Sequence, residues 1–352
     1  MASSAEAEFS TPMRGAGGSS TLDLVLRIAC WYVAGATLMF LLNNYLIFWR
    51  GWPGLATFFS YQGWLGENST PMDPSLALYG WLQTFSYLAV FLIACVMVLR
   101  RSHEGLRPDS NRLSALSAYF ARAAFWAVLL VGLADMVISF LRVEGLMEAL
   151  IGPDLTTEMG RSQWRGTYIH YPLIGVAMVI AFFTRGLSFM WLGTLVVLAE
   201  LQIVVLRFIF SYEQAFMGDL VRFWYAGLFL FASAHTLVAD GHVRVDVLFA
   251  RFRMPTKGIV NAIGAGVLGI PLCVVVLTRG MWGKSNIINS PLLSFEVSQS
   301  GFGMYTKYIM AGFLVVFALT MMIQFASYFL KGIADYKEEP GGDEPSDGEI
   351  VH

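Results

Sequence analysis

The chain has 352 residues, of which 56% are hydrophobic and 14% charged, and its formal net charge is −2. Soluble domains carry roughly 25% charged residues, so this composition excludes an ordinary soluble protein, and the small negative charge argues against a nucleic-acid partner. The cysteines, Cys30, Cys95 and Cys273, lie inside apolar runs and predict neither a disulfide framework nor a metal-binding cluster. We therefore expect no metal ion and no cofactor.

Residues 1–21 are polar and predict a disordered tail. The rest of the chain contains apolar segments of the length that a helix needs to cross a hydrocarbon core of about 30 Å. The sequence therefore predicts an all-α, polytopic membrane protein of about eight transmembrane helices. The predicted spans are 22–49, 76–99, 115–141, 167–184, 187–209, 220–238, 258–279 and 304–330.

The placement of lysine and arginine tests the number of spans. The fourth segment is short and has Pro172 near its start, but removing it would put the two densest basic clusters, 100–112 and 244–257, on opposite sides. With eight spans and the N-terminus inside, both clusters lie in the cytoplasm, as the positive-inside rule requires. We therefore expect both termini to be cytoplasmic.

The chain divides near residue 186 into an N-terminal four-helix extension, 22–186, and a C-terminal four-helix part, 187–331. An acidic tail rich in proline and glycine, 332–352, is expected to be disordered. The halves show no convincing internal repeat, so the inverted-repeat pattern of a self-sufficient transporter is missing.

Two carboxylates fall inside predicted spans. At the middle of a span a lone carboxylate costs about 2.5–3.5 kcal/mol, so Glu200 is expected to be paired, protonated or, as we prefer, in contact with another subunit. Asp135 faces a similar cost, and no partner for it is evident in the sequence. No two histidines share a depth at which they could bind one haem.

Three further charged residues lie at the predicted outer edge of the C-terminal part. Asp219 is placed to cap the N-terminus of the sixth helix, with Arg222 three residues further along the same face. Alternatively, Asp219 and Arg222 together with Arg207 could hold a lipid headgroup or a partner helix.

The inner loop over 238–253 has apolar residues at helical spacing, with Arg244, Arg251 and Arg253 off that stripe. This pattern predicts a helix lying in the cytoplasmic membrane interface. The alternative is an ordinary loop with a positive-inside bias.

The same loop resembles a known family. Gly241-His242-Val243-Arg244-Val245-Asp246 is similar to the signature of the DctQ-type small membrane subunit of TRAP (tripartite ATP-independent periplasmic) transporters. The similarity continues upstream without a gap, through Arg222-Phe223 and Asp219-Leu220 to Arg207-Phe208-Ile209-Phe210. Phe216 stands where the family usually has tryptophan, and Asp219 where it has glutamate. The resemblance covers 187–331, and residues 1–186 look like the N-terminal extension of long-form members.

The resemblance implies a non-catalytic scaffold subunit in the bacterial inner membrane. Its implied partners are membrane lipids, a large membrane subunit that holds the sodium and substrate sites, and a periplasmic protein that captures an organic acid anion. The candidate subunit-interface or lipid-contact residues are Glu200, Arg207, Asp219 and Arg222, and the candidate cytoplasmic interfacial motif is Gly241, His242, Arg244, Asp246 and Arg251. The alternatives are a free-standing carrier and a membrane enzyme with an unrecognised site, although common enzyme motifs are absent.

Overall fold

The computed structural model describes residues 20–65, 71–185, 190–238, 249–298 and 303–341. Within these ranges every regular element is helical and no β-strand occurs. Eight helices are long and apolar enough to cross a membrane, which confirms the all-α, polytopic fold class.

The helices are, in chain order, α1 (Thr21–Arg50), α2 (Leu55–Tyr61), α3 (Ala77–Leu99), α4 (Leu106–Val143), α5 (Met147–Ile151), α6 (Pro153–Met159), α7 (Ser162–Arg165), α8 (Tyr171–Phe183), α9 (Met190–Phe210), α10 (Ala215–Val238), α11 (Met254–Ile263), α12 (Ile270–Met281), α13 (Asn289–Ser294) and α14 (Lys307–Tyr336). Short 3₁₀ turns occur at Pro74–Leu76 and Phe249–Arg251, and π-helical turns at Gly166–His170 and Gly264–Gly269. The candidate spans are α1, α3, α4, α7–α8, α9, α10, α11–α12 and α14.

Each π turn immediately precedes the first turn of a helix that contains proline. Gly166–His170 is followed by Pro172 in α8, and Gly264–Gly269 by Pro271 in α12. Proline has no backbone N–H to donate and its ring crowds the preceding turn, so a wider turn lets the helix continue past it. The first of these turns contains His170 and directly follows Arg165, and both residues belong to the polar cluster described below.

The helices α4 and α14 form the centre of the bundle. Buried residues of α4 pack with those of α9, α10 and α14 in one apolar cluster, and with those of α1 and α14 in another. A third cluster joins α10, α12 and α14. Helices from both sides of residue 186 therefore share the same core.

The helices α11 and α14 approach closely where glycines face each other. A Cβ atom on Gly258 would lie 2.5 Å from the carbonyl oxygen of Gly332, and one on Gly332 would lie 2.6 Å from the carbonyl oxygen of Gly258. Small residues allow this kind of close backbone packing between membrane helices. The approach fixes α11 against the central helix of its own chain.

Candidate subunit interface

Asp135 lies in a largely buried polar cluster near the C-terminal end of α4. Its Oδ1 atom accepts a hydrogen bond from Nη1 of Arg165 at 2.7 Å and lies 3.2 Å from Nε2 of His170. Its Oδ2 atom accepts the backbone N–H of Tyr305 at 2.6 Å. The side chains of Asp135, Arg165 and His170 are all fully buried. The carboxylate with no evident partner in the sequence is thus compensated within the chain.

The two basic members of this cluster lie at the two ends of one short stretch: Arg165 is the last residue of α7, and His170 ends the π turn that follows. Arg165 also donates to the carbonyl oxygen of Met159, and its guanidinium carbon lies 4.1 Å from the ring centroid of Tyr305. The Nδ1 atom of His170 lies 2.9 Å from the Tyr308 hydroxyl. We call the set Asp135, Arg165, His170, Tyr305 and Tyr308 the Asp135 cluster. It joins the N-terminal extension to the beginning of α14.

Asp219 contacts the segment that leads into α14, next to the residue bound by Asp135. Its Oδ2 atom accepts the buried backbone N–H of Met304 at 3.0 Å. The prediction that Asp219 caps the sixth transmembrane helix is wrong, because α10 begins at Ala215 and Asp219 lies in its second turn. Its carboxylate instead satisfies the N–H of the segment that leads into α14.

A second polar cluster lies at the opposite end of α4, about 39 Å along the helix from Asp135. The buried Arg27 of α1 donates to Oδ2 of Asp109 at 2.7 Å and to the carbonyl oxygens of Glu104 and Arg101 at 2.7 and 2.9 Å. Arg112 donates to the other Asp109 oxygen, and its hydrogen bond with Glu104 lowers the pKa of that carboxyl. This set, the Arg27 cluster, ties α1 to α4.

The helix α14 extends to Tyr336, into the segment 332–352 that the sequence predicts to be a disordered tail. The carboxylate of Glu339 accepts the backbone N–H groups of Leu106 and Arg107 at the N-terminus of α4. A negative charge at a helix N-terminus is favourable. Residues 332–339 therefore contact the bundle, and the predicted tail beyond residue 341 lies outside the described residues.

Glu200 is the charged residue of α9 that lies farthest from its ends, about 15 Å from each. It is exposed, and no described residue forms an ion pair or hydrogen bond with its side chain. Val197, Leu201, Val204 and Phe208 are exposed at helical spacing around it. We call this surface the α9 face. It presents one carboxylate in the middle of an apolar strip.

Arg207 and Arg222 also point outward. The Nε atom of Arg207 lies 3.3 Å from Oε2 of Glu213, and both side chains are more than half exposed. Arg222 lies 3.3 Å from Asp219, but 74% of its side chain is exposed. The structure therefore brings Asp219 and Arg222 together, whereas Arg207 pairs with Glu213 and not with Glu200.

A groove of about 500 Å³ runs between α4 and α9 beside this face. It is lined largely by apolar side chains such as Met136, Phe140 and Leu206. At its end the hydroxyl of Tyr212 donates to Glu144 at 2.5 Å, and burial together with this hydrogen bond raises the pKa of Tyr212 to about 12. The groove separates much of α9 from α4, so α10 supplies most of the packing along α9.

The proposed cytoplasmic motif is described only at its end. Gly241, His242, Arg244 and Asp246 lie outside the described residues, and Arg251 is exposed in the 3₁₀ turn that precedes α11. Elsewhere, no group of three or more His, Cys, Asp or Glu side chains among the described residues could hold a metal ion.

Comparison with known proteins identifies the C-terminal part. The family model of tripartite ATP-independent periplasmic transporters, DctQ component, matches residues 193–334. Residues 193–334 form a DctQ domain. The match overlaps the residues that carry the resemblance in the sequence, and so confirms it. No curated protein and no solved structure matches the chain.

The DctQ match and the eight candidate spans together indicate a multi-pass membrane protein, in which a long N-terminal region precedes a part similar to the small component of TRAP transporters. Within residues 193–334 lie α10, α11, α12 and α13, almost all of α9 and all but the last residues of α14. The α9 face belongs to this domain. The Asp135 cluster, by contrast, draws Asp135, Arg165 and His170 from the N-terminal region.

Sequence reasoning missed most of both polar clusters. Arg165 and His170 give no local pattern of a site, since their common partner Asp135 is 30 residues or more away along the chain. Arg27 and Asp109 are likewise separated by 82 residues. One signal in the sequence could have identified part of the Asp135 cluster. Because a buried carboxylate requires a partner, Arg165 could have been proposed, since it lies at the same predicted outer side of the membrane as Asp135.

Proposed function

We propose that this chain is the non-catalytic small subunit of a TRAP transporter that imports organic acid anions together with sodium. It acts as a scaffold for the large membrane subunit in the bacterial inner membrane, and a periplasmic binding protein delivers the substrate. Its α9 face is the contact surface for the large subunit. The sodium and substrate sites lie outside this chain.

The observation that supports this proposal is the position of Glu200. In a bilayer an exposed carboxylate at this depth costs about 2.5–3.5 kcal/mol, and the chain supplies it with no described partner. Apolar side chains surround it, so the face is suited to a protein surface with a hydrogen-bond donor opposite Glu200. The DctQ family description supports this further, because it names a component of a tripartite assembly.

The N-terminal extension has a supporting role in this proposal. Its α4 packs against α10 and α14 and is fixed by the Asp135 and Arg27 clusters at its two ends. It thereby stabilises the DctQ domain from the side that does not carry the α9 face. We also propose that both termini are cytoplasmic, with the motif from Gly241 to Arg251 in the cytoplasmic membrane interface.

The test is purification of the tagged full chain from its native membranes in a mild detergent, followed by mass spectrometry of bound proteins. The wild-type chain is expected to retain one larger polytopic protein in stoichiometric amount. Glu200→Leu should lose it, although the substitution makes α9 more apolar and easier to insert. Gln202→Leu is the matched control, because Gln202 also lies on α9 but lines the groove toward α4.

Two results would overturn the proposal. One is recovery of the chain alone together with transport or turnover of a compound in liposomes, which would support a free-standing carrier or an enzyme. The other is retention of the large protein by Glu200→Leu at the wild-type level, which would remove the α9 face as the contact.

A further inference from the structure

The arginine pair Arg122 and Arg185 forms a positively charged site between α4 and the end of α8. The end of α8 is held to α4 by two hydrogen bonds. Tyr119 donates to the carbonyl oxygen of Met178 at 3.1 Å, and Trp126 donates to the hydroxyl of Thr184 at 3.0 Å. Arg122 lies on the same α4 face, between these two contacts.

The two positive charges of this site lack a counter-ion among the described residues. The Nε atom of Arg122 is buried and has no hydrogen-bond partner. Arg185 is exposed and directly follows Thr184, whose hydroxyl accepts the hydrogen bond from Trp126, so its backbone lies beside the α4 face that carries Arg122. No acidic side chain of the described residues pairs with either arginine. Because the two charges repel each other, an anion between them would stabilise both.

The surface beside this pair is suited to an acyl chain. Phe182, Phe183 and Val179 of α8 are each more than half exposed. A ligand bound there therefore meets guanidinium groups at the end of the helix and apolar side chains along its length. Guanidinium groups bind phosphate oxygens with particular strength, and this arrangement of charge and apolar surface matches an amphiphile with an anionic head.

We propose that Arg122 and Arg185 bind the phosphate of an anionic membrane phospholipid, whose acyl chain lies along the exposed face of α8. The sequence predicts this end of α8 to be cytoplasmic, which is the side where anionic lipids attract basic residues most strongly. The bound lipid neutralises the pair and fills the space beside the α4–α8 contact. This proposal does not depend on the partner of the α9 face.

The test is native mass spectrometry of the purified full chain titrated with dioleoyl phosphatidylglycerol, and separately with dioleoyl phosphatidylcholine, which has the same chains and no net charge. Phosphatidylglycerol is expected to bind more tightly. Arg122→Gln and Arg185→Gln should each weaken its binding about fivefold, and the double variant should bind the two lipids equally. Arg100→Gln is the matched control, since it removes the same charge at the exposed C-terminal cap of α3.

The lysine variants keep the test independent of folding. Arg122→Lys with Arg185→Lys retains both charges and should keep the preference for phosphatidylglycerol, at reduced affinity. Equal binding of the two lipids to the wild-type chain would overturn the proposal. So would displacement of the lipid by millimolar inorganic phosphate alone, which would indicate a site for a free anion. A double variant that loses a bound acidic protein but still prefers phosphatidylglycerol would assign the pair to a protein partner.

Discussion

Asp135 and Glu200 are both carboxylates within candidate membrane spans, but they differ in burial and in hydrogen-bond partners. Asp135 is fully buried and receives donors from Arg165, His170 and the backbone of Tyr305. Glu200 is exposed, and no described residue contacts it through a hydrogen bond or an ion pair. A hydropathy scale assigns a cost to each of these residues but does not show which of them has a partner.

This difference in compensation indicates a structural role for Asp135 and a role in assembly for Glu200. A buried carboxylate with full compensation stabilises the chain that contains it, here by fixing the beginning of α14 to α4 and to the π turn. Glu200, exposed in an apolar strip, receives no hydrogen bond or ion pair from the described residues. The comparison predicts that substitutions at Asp135 reduce stability, and that substitutions at Glu200 reduce association.

Asp135→Ala is expected to have the largest effect on stability. It leaves the guanidinium of Arg165 charged and fully buried without its carboxylate, and breaking a buried pair from one side costs about 3–5 kcal/mol. Thermal unfolding of the purified full chain in detergent measures the loss. Asp135→Leu combined with Arg165→Met should cost less than the sum of the single substitutions, because it leaves no buried unpaired charge. An unchanged midpoint for Asp135→Ala would show that the cluster contributes little.

Asp219→Ala is expected to have the next largest effect. It leaves the buried N–H of Met304 without an acceptor, which costs about 1–3 kcal/mol. Asp219→Asn keeps an acceptor oxygen and should lose less, as measured by the same unfolding experiment. An equal loss for both variants would mean that the charge, and not the hydrogen bond to Met304, stabilises the segment.

The role of Asp219 also changes how the interface is tested. Combined replacement of Arg207 and Asp219 by alanine would weaken association partly by loosening the segment before α14. A lower yield of complex from that variant would therefore not identify the contact surface. Glu200 and Arg207 are better targets, since neither side chain takes part in the packing of the described core.

The spans could be predicted because each rests on a run of apolar residues that is visible locally. The structure begins α1 at Thr21 and ends α12 at Met281, within a few residues of the predicted limits. The end of α14 was harder to predict. Asp335, Lys337 and Glu339 look like a solvated acidic tail until α1 and α4 are known to lie beside them.

The candidate site was predicted in part for the same reason. That Glu200 would need a partner, or a protonated state, follows from its depth in an apolar run. Which carboxylates find a partner inside the chain depends on tertiary contacts, such as that between Asp135 and Arg165 across 30 residues. The predicted cap at Asp219 failed because α10 begins one turn earlier than the apolar run suggests.

Glu200→Leu tests whether Glu200 serves assembly and not the stability of this chain. The stability of the isolated chain is expected to change by less than about 0.5 kcal/mol, as for most surface substitutions, while the large subunit is lost on purification. Gln202→Leu should leave both unchanged. If Glu200→Leu instead lowered the unfolding midpoint as much as Asp135→Ala, the carboxylate would have a partner within this chain and the α9 face would lose its supporting observation.

Arg207→Gln is also expected to have only a small effect on stability, because its contact with Glu213 is an exposed ion pair of a kind worth about 0–1 kcal/mol. A double-mutant cycle with Glu213→Gln measures the coupling energy of the pair, first in the isolated chain and then in the complex. If the α9 face is the interface, the large subunit covers Arg207 and excludes water, so the coupling should become larger and less sensitive to salt. A coupling energy that is the same in both states would place Arg207 outside the contact and limit the interface to the part of α9 around Glu200.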